Sequence, residues 1–236
     1  ETLLGCLDGA VATVKHLDCA PDIDTAGKDT ARHRAAGADA TYGLADGEWF
    51  ATGETRTLED LLDDLAPDYD YALLEGFGDA RVPRVELGGR EGAGETLATA
   101  PTAGDVDAAA VVEALHDTQP HETLASLVRE AKTAPDADRA GAVATFTGRV
   151  RAKDGDDDPR TEYLEFEKYE GVADRRLAAL RDELRDREGV QEVLLYHRTG
   201  VVPAGEDIVF VVVLAGHREA AFRTVEDGID RLKEEV

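Results

Sequence analysis

"EDIVFVVVLAGHREAAFRTVEDGIDRLKEEV", Glu206 to Val236, decides the fold of the C-terminal half of this chain. It opens with the longest apolar run in the sequence, Ile208 to Gly216. That run reads as a strand, and it is far shorter than the ~20 residues a membrane-spanning helix needs. From Gly216 onward the period changes. At about 100° per residue, Phe222, Val225, Ile229, Leu232 and Val236 form one stripe of a final helix, and Lys233 falls within roughly 20° of the azimuth of Phe222. Lys233 is therefore expected to point toward the packed side rather than toward open water. Two readings follow. Its stem covers apolar surface while its charge meets the negative end of the helix dipole, or the lysine is placed there for chemistry.

Outward from this strand and helix, the rest of the half reads as "ETLASLVREAK" (helix), "GAVATFTGRVR" and "TEYLEFEKY" (strands), "VADRRLAALRDELRDRE" (helix) and "VQEVLLYHRTG" (strand). The hyper-acidic "AKDGDDDPR" forms a loop between the first two strands. The order predicts an α+β domain with helices packed on one face of a mainly antiparallel sheet. The first half alternates differently. "VATVK" and "EWFAT" read as strands, "KDTARHRAAGA" as a helix ending near Gly37, and "TLEDLLDDLA" as a helix capped by Thr57. "YDYALLEGF" is a buried strand, "GGREGAGETLATAPTAGD" (88–105) is loop, and "VDAAAVVEALHD" is a closing helix. This half is expected to be an α/β layer with parallel strands, and "TQPH" at 118–121 is the linker between domains at 1–118 and 119–236.

The chain has 236 residues, with 51 Asp plus Glu against 26 Lys plus Arg, a net charge of -25 at pH 7. A surface this acidic repels nucleic acid and anionic membrane, so neither is expected as a partner. The acids are spread along the whole length, in the manner of a salt-adapted protein. Cys6 and Cys19 lack metal-ligand spacing, so they read as buried or incidental thiols of a cytoplasmic protein, and no metal site is expected. The sequence contains no Met and starts at Glu1, so a piece of a longer protein is expected at both ends.

Against that acidity, Arg139 to Lys153 holds four basic residues and no acid. Arg149, Arg151 and Lys153 alternate at or beyond a strand end, which puts them on one face. His217 and Arg218 open the last helix, where free backbone N–H groups favour an anion. With Lys233 they could form a pocket for phosphate or carboxylate. Alternatively, the arginines pair with the abundant acids.

"GAVATFTGRVR", "LEFEKYEG", "HRTGVVPAGEDIVFVVVLAGHREAAF" and "IDRLK", in that order, resemble the catalytic large subunit of molybdopterin synthase, the MoaE family. The likeness runs from about Leu124 to Val236. It implies a sulfurtransferase of molybdenum cofactor biosynthesis. A thiocarboxylated Gly-Gly tail of a ubiquitin-like small subunit enters a basic pocket and passes sulfur to cyclic pyranopterin monophosphate. Two rounds give the molybdopterin dithiolene, with no cofactor. The resemblance places substrate binding on Arg149, Val150, Arg151, His217 and Arg218, and the essential lysine on Lys233. Desolvation and neighbouring arginines are then expected to lower the pKa of that lysine. The family pattern continues into a Pro-aromatic-Lys-Lys segment, whose second functional lysine would follow Val236. A homodimer is expected.

"TVKH", "DIDTAGKDTARHRAAGA" and "YALLEGF" resemble the molybdopterin-guanine dinucleotide biosynthesis adaptor, MobB, a P-loop nucleotide-binding family. The half is thus expected to be an incomplete P-loop-type α/β domain whose phosphate loop lies upstream of Glu1. "TAGKDT" is not that loop: Asp29 replaces the Ser or Thr, and no glycine stands five residues before Gly27. The resemblance implies GTP and magnesium for the intact adaptor half. Glu75 could hold magnesium through water, and Lys15, His16 and Asp24 lie in the characteristic loop. The rival reading is a non-catalytic adaptor that binds nucleotide and pterin intermediates.

Overall fold

The computed structural model describes residues 2–19, 25, 27–155, 157–166 and 172–235. The expected loop residue Asp24, the end of the expected strand beyond Phe166, and Val236 lie outside the described residues. The chain divides into two compact units, Glu1–His121 and Glu122–Val236.

In the first unit, β1 (Val11–Lys15) is followed by α1 (Asp29–Ala35). A hairpin not foreseen as such comes next: β2 (Ala40–Ala45) and β3 (Glu48–Gly53) pair antiparallel across Asp46 and Gly47, where Gly47 has φ +92. Asp46 keeps a negative φ, so the left-handed residue of this two-residue turn is Gly47, where glycine meets no Cβ clash. α2 (Leu58–Leu65) starts at Thr57, whose hydroxyl accepts from the Asp60 N–H while the Asp60 carboxylate accepts from the Thr57 N–H, a reciprocal cap. β4 (Tyr71–Glu75) pairs parallel with β1, with Lys15 opposite Glu75, and none of its residues is fully buried. β5 (Arg84–Leu87) and β6 (Thr96–Ala100) form a second parallel pair. The stretch 88–105 is therefore not all loop: its glycines conceal the short apolar run of β6. α3 (Ala108–His116), capped by Asp107 at the Ala110 N–H, closes the unit.

The second unit begins with α4 (Leu124–Thr133) and β7 (Ala142–Arg149). β8 (Tyr163–Phe166), α5 (Val172–Arg185), β9 (Val190–His197), β10 (Gly200–Pro203), β11 (Asp207–Ala215) and α6 (Arg218–Glu235) follow. β11 is the centre of an antiparallel sheet in the order β7-β11-β9, and the unforeseen β10 pairs antiparallel with β8.

Helices cover both faces of the three-stranded sheet, which corrects the one-face expectation. Val209, Val211, Val213 and Ala215 cluster with Leu180 and Leu184 of α5 and Ala221, Val225, Ile229 and Leu232 of α6. Phe210, Val212 and Leu214 cluster with Leu127 and Ala131 of α4. A strand buried on both faces needs apolar residues at odd and even positions alike, and Ile208–Ala215 supplies them without a break. At about 1.5–3 kcal/mol for each fully buried valine, leucine or phenylalanine, β11 is the principal anchor of the unit.

Gly228 sits in the middle of α6. A Cβ there would meet Leu184 Cδ1 and Val211 Cγ1, each at 3.3 Å. The glycine sets the close approach of α6 to α5 and β11, and the helix continues through it. Gly228→Leu is expected to destabilise the unit by about 1–3 kcal/mol through overpacking, read as a lowered urea midpoint. For Gly228→Ala, the gain in helix propensity, about 1 kcal/mol, opposes the tight contact. An unchanged midpoint for the leucine variant would show that the contact is slack.

Candidate functional site

β11 delivers the chain to the start of α6, and α6 packs back over β11 and β7. This return separates the basic residues into two groups. Arg218, at the first turn, and Lys233, at the last, are fifteen residues apart on one unbroken helix, about 22 Å at ~1.5 Å per residue. Along β7, Ala142 lies opposite Ala215, and Arg149 opposite Asp207. Those seven steps span about 23 Å. Arg149, Val150, Arg151 and Lys233 therefore stand at one end of the sheet, and His217 and Arg218 at the other.

At the first end, Val150 is 2 % exposed and belongs to the apolar cluster that holds Ile229 and Leu232. Its N–H donates to Glu206 O at 2.9 Å, and its carbonyl accepts from Gly205 N–H at 2.8 Å. This clamp continues the strand alternation past Arg149. Val150 faces the core, whereas Arg149, Arg151 and Lys153 are exposed. The family role carried onto Val150 is thus placed on a buried side chain, whose visible work is to fix its two neighbours. Arg149 Nε lies 3.2 Å from Asp207 Oδ1, and its Nη2 donates to Gly205 O. Arg151 Nη1 lies 2.9 Å from Asp154 Oδ1. Both arginines thus pair with acids.

Two residues at the same end were not singled out in the sequence. Arg198 Nη1 donates to Glu206 Oε2 at 2.8 Å, so the consecutive acids Glu206 and Asp207 each hold one arginine. His197 stands edge-on to Phe166, ring centroids 5.0 Å apart, and burial pushes its pKa down. The signal for Arg198 was its place in "HRTG", beside the apolar run and ahead of "GED".

Lys233 is exposed, contrary to the expectation that it faces the packed side. The packed face of α6 consists of Ala221, Thr224, Val225, Gly228, Ile229 and Leu232, and Phe222, placed in the expected stripe, is 65 % exposed. The stripe is shifted by one position, because α6 contacts α5 as well as the sheet. The desolvation expected at Lys233 is thus not supplied by its own chain. His217 and Arg218 are also exposed, and the His217 carbonyl accepts from Ala221 N–H at 3.2 Å to start α6.

In the first unit, Lys15, His16 and Glu75 do come together. Lys15 Nζ donates to Glu75 Oε1 at 2.9 Å, and His16 N–H donates to Glu75 O at 2.8 Å. The His16 ring stands edge-on to Phe77, centroids 5.5 Å apart. An ammonium against Glu75 opposes a divalent cation there. Among the described residues, no group of three or more His, Cys, Asp or Glu side chains is placed to hold a metal ion. Cys6 and Cys19 are both exposed thiols rather than buried ones. Among the described residues, no helix is long and apolar enough to cross a membrane.

Comparison with known proteins gives the site a context. Residues 116–235 match the MoaE protein family, and residues 3–113 match molybdopterin guanine dinucleotide synthesis protein B. A probable molybdopterin synthase of Haloferax volcanii is 53 % identical over 237 residues, covering 100 % of this chain and 87 % of that protein. The molybdopterin synthase catalytic subunit of Escherichia coli K12 is 40 % identical over 96 residues, 41 % of this chain and 63 % of that subunit. The crystal structure of molybdopterin synthase from Staphylococcus aureus is 36 % identical over 42 % of this chain and 71 % of that chain, with a TM-score of 0.39. The two family matches and the full-length Haloferax relative define a two-module protein of molybdopterin biosynthesis. The chain belongs to the MoaE family, with a MobB region preceding its MoaE region.

Proposed function

We propose that this chain transfers sulfur from the thiocarboxylated Gly-Gly tail of a ubiquitin-like small subunit to cyclic pyranopterin monophosphate, and that two rounds build the molybdopterin dithiolene. The observation that carries this reading is the MoaE match over residues 116–235, a stretch that presents Arg149, Arg151, Arg218 and Lys233 as exposed cations, with His217 beside Arg218, on a chain of net charge -25. The cations draw in the anionic tail and the pterin phosphate, and the Lys233 amine serves the proton transfers or a transient covalent step. The pocket forms in a homodimer, because one unbroken helix holds Arg218 and Lys233 about 22 Å apart. The reaction takes place in the cytoplasm.

The test is to mix the protein with the thiocarboxylated small subunit and the pyranopterin and to assay for dithiolene. Product formation supports the reading. Binding of both partners without product would leave a pterin- and tail-binding adaptor. For the MobB region we expect GTP binding weaker than micromolar by calorimetry, since Glu75, the carboxylate assigned to magnesium, would have to give up its pair with Lys15. Micromolar binding would contradict this.

A further inference from the structure

The two arginines flanking Val150 are held in different ways. The partner of Arg149 is Asp207, a residue of the central strand β11, and a second contact runs to the Gly205 carbonyl. Both partners sit on backbone tied to the sheet, Asp207 by its pairing opposite Arg149 and Gly205 by its N–H to the Val150 carbonyl. The partner of Arg151 is Asp154, three residues on, in a loop closed at its base by Thr161 N–H donating to Ala152 O at 2.8 Å. Arg151 and Asp154 are 77 % and 71 % exposed. An exposed pair three residues apart is weak and readily exchanged. The same stretch of sequence carries Asp157 and Asp158.

We infer that Asp154 is a positioning residue that acts as a built-in competitor for Arg151, which an incoming anion must displace. This rests on the sulfur-transfer reading for the identity of the ligand. A carboxylate offers Arg151 only what Asp154 already supplies at an effectively intramolecular concentration. The cyclic phosphate of the pterin, a diester, likewise brings one charge and two free oxygens to the guanidinium fork, so it meets the same competitor. The competition is strongest at low salt and fades at molar salt, where the Debye length falls to ~3 Å.

The test compares the full chain with Asp154→Asn, Asp157→Asn, Arg151→Ala and the Arg151→Ala/Asp154→Asn double variant. At low salt, Asp154→Asn is expected to lower the KM for cyclic pyranopterin monophosphate about two- to fivefold, with kcat unchanged. Asp157→Asn removes the same charge from the same loop and is expected to change KM much less. In the Arg151→Ala background, Asp154→Asn has no effect, and in molar KCl the gain disappears. An unchanged KM in Asp154→Asn, or an equal gain from Asp157→Asn or without Arg151, overturns the inference. If the wild-type chain forms no dithiolene, the sulfur-transfer reading is what fails. Calorimetric titration of the same variants with inorganic pyrophosphate then decides the competition on its own: tighter binding in Asp154→Asn only when Arg151 is present sustains it, and equal binding ends it.

Discussion

Lys233→Ala is expected to reduce dithiolene formation by at least about a hundredfold, the lower range for removal of a group that moves protons in the transition state, while small-subunit binding and fold persist. Lys233 is exposed, and the packed face of α6 runs through Ala221, Thr224, Val225, Gly228, Ile229 and Leu232 without it. Its structural contribution is limited to a cation in the last turn of a helix, worth roughly 0.3–1 kcal/mol. Loss of activity with a nearly unchanged urea midpoint would therefore assign the lysine to chemistry. Lys233→Arg sharpens the test. Arginine keeps the charge but stays protonated and forms no Schiff base, so it is expected to be as inactive as alanine if the amine itself reacts or exchanges protons. Recovery in the arginine variant would reduce the role to charge alone, and near wild-type product from the alanine variant would remove Lys233 from the mechanism.

How the sequence conveys these features depends on where the physics resides. Local signals were legible: the Thr57–Asp60 cap fixes the start of α2, and the apolar run Ile208–Ala215 marks β11. The coverage of both sheet faces was encoded in that same run, since a strand with one wet face would alternate, yet the helices that provide the cover carry no mark of which face they choose. Of the β2–β3 hairpin, Asp46-Gly47 marks the turn and "EWFAT" the strand β3, whereas β2 holds a single β-branched residue, Thr41, and gives no strand signal of its own. At the site, the alternation of Arg149, Arg151 and Lys153 about the buried Val150 followed from period two alone. The pairing of Arg149 with Asp207 and of Arg198 with Glu206 did not, because in a chain of 51 acids the choice of partner is made by tertiary register. Lys233 shows the same limit from the other side. Its azimuth was read correctly relative to Phe222, but the contact of α6 with α5 rotates the packed face away from both.

Mixing inactive Arg218→Ala and Lys233→Ala chains is expected to restore about one quarter of wild-type activity. The number follows from a two-fold assembly in which each pocket takes Lys233 from one chain and Arg218 from the other. After complete exchange at equal concentrations, about half the dimers are mixed, and each mixed dimer contains one pocket with both residues intact and one with neither. The structural ground is that α6 runs unbroken from Arg218 to Glu235, with Gly228 packed against Leu184 and Val211 rather than hinging the helix. Side chains of these types extend only about 6–7 Å from the backbone, so a separation of about 22 Å cannot be closed on one small substrate within a single chain. Phe222, 65 % exposed and within roughly 20° of the line of Lys233 along α6, leaves an apolar ring on a surface that a second copy would cover. The same cover would supply the desolvation that Lys233 lacks in its own chain. Subunit exchange must be verified independently, by native mass spectrometry of chains differing in mass. Exchange without recovered activity would place the site within one chain and assign His217 and Arg218 to a task other than holding the substrate that Lys233 meets.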